Sequence, residues 1–119
     1  MSVETAIDVA AARKNRRGPA EKLRDALDVL AQRRAQILDH REVAWASITF
    51  TGARHSLTLS FEGVEAAKAA EGFIADLPEH EFLLPGQLVA DAAIISVDHA
   101  MVPDVRIEVK VELLLLVDA

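Results

Sequence analysis

"VRIEVKVELLLLV", residues 105–117, decides the fold. Ile107, Val109, Val111 and Leu113 recur at every second position, with Arg106, Glu108, Lys110 and Glu112 between them in alternating sign. Period two is the signature of a β-strand with one covered and one wet face. After Glu112 the alternation stops, and Leu113, Leu114, Leu115, Leu116 and Val117 run on unbroken. A strand this apolar belongs in the interior of a sheet, with neighbours on both edges.

Working back from it, "LVADAAIISVDH" (88–99) reads as a third strand, joined to the last by a connector over 98–104. "GVEAAKAAEGFIADL" (63–77) has Val64, Ala67, Ala70, Ile74 and Leu77 at helical spacing and stops at Pro78. "HSLTLSF" (55–61) alternates again, as does "EVAWASITF" (42–50), and the short stretch 51–54 between them holds Gly52, so the two read as a hairpin. Pro19 suits a first helical position. Leu23, Ala26, Leu27, Leu30, Ala31, Ile37 and Leu38 extend a helical stripe from there, which predicts one long helix over 19–40. Residues 1–18 are expected to be a flexible or partly helical lead-in to a single domain over 19–119.

The order α-β-β-α-β-β constrains the arrangement. One helix between the second and third strands makes those two parallel in direction, and each hairpin partner is antiparallel to its mate. A right-handed crossover then gives a four-stranded antiparallel sheet in the order 1-2-4-3. Both helices lie on one face in a two-layer α+β sandwich.

Composition narrows the function. The chain has 119 residues and a formal net charge of −6, which disfavours nucleic acid and anionic membranes. "RKNRR" (13–17) is a local exception, without aromatic residues interleaved for base stacking. No apolar run approaches the roughly 20 residues that span a bilayer, and Glu4 and Asp8 argue against a signal peptide. With no cysteine, disulfides and thiolate chemistry are excluded, and the cytoplasm is the expected compartment. There is no phosphate-binding glycine loop and no nucleophile elbow.

Candidate sites are few, and the sequence offers no catalytic constellation, metal set or cofactor motif. His40, His55, His80 and His99 show no ligand spacing. In the expected topology His40 and His99 fall at one end of the sheet and His55 and His80 at the other. A ligand site built from His55 and His80, with Glu79 and Glu81 beside them, is therefore conceivable. Asp91, in a strand otherwise made of Val, Ala and Ile, is a further candidate ligand contact; it shares parity with Val89, Ala93, Ile95 and Val97. Leu114 and Leu116 share parity with the charged face, where a two-layer core cannot cover them. Either the mildly apolar lead-in over 1–12 or another subunit must cover them; with Trp45 they are expected to form a subunit interface, the homodimer being favoured. The sequence therefore leads to a non-enzymatic, oligomeric, cytoplasmic module that binds a protein partner or small ligand. The alternative is a small enzyme with an acid/His site at a subunit interface.

Overall fold

The structure is a computed structural model, and it describes residues 18–118. The lead-in over 1–17, including the basic cluster, lies outside the described residues. The elements are helix α1 (Pro19–Leu30), strands β1 (Ala35–Ala46) and β2 (Thr51–Glu62), helix α2 (Val64–Asp76), and strands β3 (Gln87–Ala100) and β4 (Arg106–Val117). A 3-10 turn over Leu77–Glu79 follows α2. All three strand pairings are antiparallel, and the sheet order is β1-β2-β4-β3. The α+β sandwich and its 1-2-4-3 order are thus as the element order requires. Among the described residues no helix is long and apolar enough to cross a membrane.

Both helices cover the same sheet face. Leu23 and Leu27 of α1, with Ala31 just after it, join Ala66, Ala69, Ala70 and Phe73 of α2 over Leu57, Leu59 and Phe61 of β2 and the odd-numbered residues 107–115 of β4. Of the expected stripe of α2, Ala70 and Leu77 are fully buried and Ala67 and Ile74 pack against the core, whereas Val64 is exposed. The buried face extends to Ala66, Ala69 and Phe73, the last meeting Phe61 with ring centroids 5.6 Å apart.

The first helix is much shorter than its stripe predicts. It ends at Leu30 because Gln32 and Arg33 both take φ of 57°. The Arg33 amide donates to the Asp28 carbonyl at 2.8 Å, and its guanidinium meets the Asp28 carboxylate at 2.8 Å. That turn releases residues 35–46 into β1, so Ile37 and Leu38 matched the helical period by coincidence.

The first hairpin also turns earlier than expected. Its loop is Ser47–Phe50, not 51–54, and it contains no glycine. The Ser47 hydroxyl accepts from the amides of Thr49 (3.3 Å) and Phe50 (3.1 Å), a side-chain mimic of a backbone turn. Gly52 lies inside β2 instead. A Cβ there would fall 2.8 Å from Leu116 Cα and collide with the Leu115 carbonyl. This glycine therefore allows two central strands to approach, not a turn to form.

Register fixes the uncovered face. Trp45, Gly52, Leu116 and Leu88 form one cross-strand row, and Val43, Arg54, Leu114 and Asp91 the next. Beyond them the rows become charged and polar, through Arg41, Ser56 and Glu112 to Asp39, Thr58 and Lys110. In a single chain Leu116 is only 6% exposed and Leu114 is half-buried. Gly52 puts no side chain between Trp45 and Leu116 in their row. Both edge strands carry register shifts, at Ile37/Asp39 in β1 and at Val89/Asp91 and Ile94/Ser96 in β3.

The strands, at 12 to 14 residues, are about 40 Å long or more. The helices, at 12 and 13 residues, are only about 18–20 Å long. Part of the covered face therefore projects beyond the helical layer.

Candidate functional site

A chain of hydrogen bonds runs from α1 into the sheet near that projecting end. Arg24 Nη1 lies 2.8 Å from His40 Nδ1, and His40 Nε2 lies 2.9 Å from His55 Nδ1. The elements explain the convergence. Arg24 is half-buried on α1, one residue after the core residue Leu23. On β1, His40 is opposite Leu57; on β2, His55 is opposite Glu42. The two histidines are thus diagonal neighbours on the covered face, with rings 5.2 Å apart.

The chemistry of the groups orients this chain. A guanidinium can only donate, so His40 Nδ1 accepts and carries no proton. A neutral imidazole has one N–H, which places it on Nε2, where it donates to His55 Nδ1. His55 Nδ1 is then also an acceptor, and the His55 proton must be on Nε2. That last nitrogen is fully buried, and no described protein group accepts from it.

Electrostatics agree with two neutral rings. Burial pushes the His55 pKa down from 6.5, opposed by the Glu42 carboxylate. Burial also lowers that of His40, assisted by His55 and the Arg24 charge and opposed by Glu42 and Asp39. Desolvation disfavours the imidazolium, and a protonated His40 would point a donor at the Arg24 donor.

His55 forms part of the wall of a cleft of about 250 Å³. Pro19, at the start of α1, is on one side. Glu42, Thr51 and Ala53 line the hairpin side, and Gln87 with Val117 the far side. The cleft thus brings a buried donor next to an exposed carboxylate.

The residues singled out in the sequence are dispersed. His80 lines a separate cleft with Asp76, Glu79 and Glu81, and its ring stands edge-on to Phe82 at 4.6 Å. Asp91 is exposed opposite Leu114. The bulge before it breaks the expected parity with Val89, so its carboxylate is on the uncovered face and not over the core. Trp45, Leu114 and Leu116 do lie together, in the two adjacent rows at one end of that face. The placement of His40 and His55 at opposite ends is overturned, because His40 belongs to β1 and not to the end of a helix. Arg24, His40 and Glu42 were missed for the same reason. The signal was present: a loop at 47–50 makes Glu42 face His55 and sets His40 one diagonal step away. Among the described residues no group of three or more His, Asp or Glu side chains could hold a metal ion. No family model matches the chain, and no curated protein matches it.

Proposed function

We propose that the protein is a non-enzymatic binding module that works as a homo-oligomer, with a dimer as the favoured form. The observation that carries this reading is the apolar block on the uncovered sheet face. Val43 is 66% exposed and Leu88 49% exposed, and they flank half-buried Trp45 and Leu114 in adjoining rows. Four strands at about 4.8 Å spacing and about 40 Å long present a plane of roughly 750 Å². That is close to the roughly 800 Å² each partner gives to a standard interface. The strip of alternating charge beside the block, Arg106 to Glu112, is self-complementary across a twofold axis. The cytoplasm is the compartment we assign, in keeping with a cysteine-free chain. Its ligand is a small molecule or a partner protein.

Molar mass in solution by light scattering tests the assembly. The expected result is about twice the 12.9 kDa chain mass, with Val43→Glu weakening association by at least about tenfold, or 1.4 kcal/mol. The chain mass at every concentration would overturn the reading.

A second reading, a small enzyme with an acid/His site, is favoured by one observation. A carboxylate (Glu42) stands opposite a neutral imidazole donor (His55), a base next to an electrophile. In this reading the groups come from one hairpin, and not from His80 or Asp91. Turnover that disappears in Glu42→Gln while the fold is retained would establish it.

A further inference from the structure

The Arg24–His40–His55 chain has a direction, and its direction has a consequence at the cleft. We propose that the cleft is a binding site for a small neutral ligand bearing an amide or lactam group. The ligand carbonyl accepts from His55 Nε2–H, and the ligand N–H donates to the Glu42 carboxylate.

Three observations carry this assignment. First, His55 belongs to the cleft wall, and its Nε2 is a buried donor without a protein acceptor just beneath that wall. Buried donors are normally paired, and leaving one unpaired is costly. Second, Glu42 is directly opposite His55 in the β1–β2 ladder and lines the same cleft. Directly opposed residues hold their Cβ atoms about 5 Å apart, so one compact group can meet both. Third, the pair is one donor and one acceptor. A carboxylate or phosphate ligand would be repelled by Glu42. An ammonium ligand would leave the His55 donor unpaired. An amide or lactam offers an acceptor and a donor on adjacent atoms and satisfies both. A volume of about 250 Å³ limits the ligand to a small molecule or the end of a larger one.

Arg24 is a positioning residue here. It touches no ligand; by donating to His40 it fixes the tautomer of both rings, and so keeps the last proton on His55 Nε2. The neutral state follows from the same arrangement, with Glu42 as the anionic group on the same face as the rings, Asp39 acting on His40 from the other face, and Arg24 as the cationic group. The assignment deepens the reading of the protein as a binding module and is independent of its oligomeric state.

The test is nitrogen NMR of the full chain at pH 7.5, with three probes of similar size: 2-pyrrolidinone, cyclopentanone and propionate. Without a probe, both His40 and His55 are expected to show the pattern of a ring protonated at Nε2. Arg24→Leu is expected to shift His55 toward a mixture of tautomers. With probes, 2-pyrrolidinone is expected to move the His55 Nε2 resonance saturably, at least tenfold more tightly than cyclopentanone or propionate. Glu42→Ala, at an exposed strand position, is expected to reduce the lactam to the level of the ketone. A ring protonated at Nδ1 in the unmodified protein would overturn the proposal. So would equal binding of lactam and ketone, tighter binding of propionate, or no saturable response to any probe. A monomer in light scattering would sink the oligomer while leaving these outcomes unaffected.

Discussion

At Gly52 the main chain of β4 is so close that even a methyl group has no space. The obstacle is the Leu115–Leu116 backbone in the middle of the sheet, which cannot swing aside as a surface side chain would. Gly52→Ala is therefore expected to cost at least about 2 kcal/mol, through a forced separation of the central strands. Urea unfolding followed by Trp45 fluorescence measures it, because the indole shares the Gly52 row. The two histidines give a second expectation at this scale. Both have pKa values lowered from 6.5 by burial, so the unfolded chain binds more protons than the folded one just below that pH. Stability then rises with pH across this window and is lost as pH falls below about 6.5. The urea midpoint is expected to drop between pH 7.5 and 5.5, and to drop less in His55→Phe. An equal fall in both proteins would assign the loss to other groups.

At the scale of elements, the end of α1 is the decisive event. Two successive non-glycine residues, Gln32 and Arg33, take the left-handed conformation, which costs roughly 1–2 kcal/mol each. Arg33 recovers part of this through Asp28. Gln32 has no such compensating ion pair among those described, so Gln32→Gly is expected to stabilise the protein by up to about 1 kcal/mol. A rise in thermal midpoint checks it, and no rise would mean that the turn is unstrained. The same turn explains what sequence could and could not reveal. Glycine and proline normally announce a helix end, and this one is made by Gln and Arg held by an ion pair. The helical stripe therefore continued on paper into Ile37 and Leu38. The strands β2 and β4 were legible because alternation survives in both, β3 because it is a run of Val, Ala and Ile despite its two register shifts, and Pro78 marked the end of α2. The site was not legible, since shifting the first hairpin loop from 51–54 to 47–50 changes every partner of His40, Glu42 and Trp45.

At the scale of the molecule, the order of elements and the handedness of one crossover were enough to give the sheet. Neither depends on where a turn begins, so errors of several residues in β1 did not propagate to the topology. The distribution of surface did depend on such detail. A bulge in β3 places Asp91 on the uncovered face, and the register of β1, β2 and β4 sets Trp45, Gly52 and Leu116 in one row. The expected dimer belongs to this scale, because no single residue makes the surface. It is the coincidence of one apolar row and the apolar half of the next, Val43 and Leu114 beside Arg54 and Asp91, with a face of standard interface size.

The three register shifts in β1 and β3 have a bearing on how such a molecule fails to polymerise. An open sheet has two outer strands whose free amides and carbonyls could recruit another copy, and repeated recruitment leads to fibrils. Here both outer ladders are interrupted, and the β1 rim carries Asp39, Arg41 and Glu42. A bulge breaks the even spacing that a docking strand would need. Interrupted rims disfavour growth by added strands, and in the proposed dimer stacking through the broad face would end once two copies meet. A concentrated solution is therefore expected to reach a plateau in mass instead of lengthening without limit.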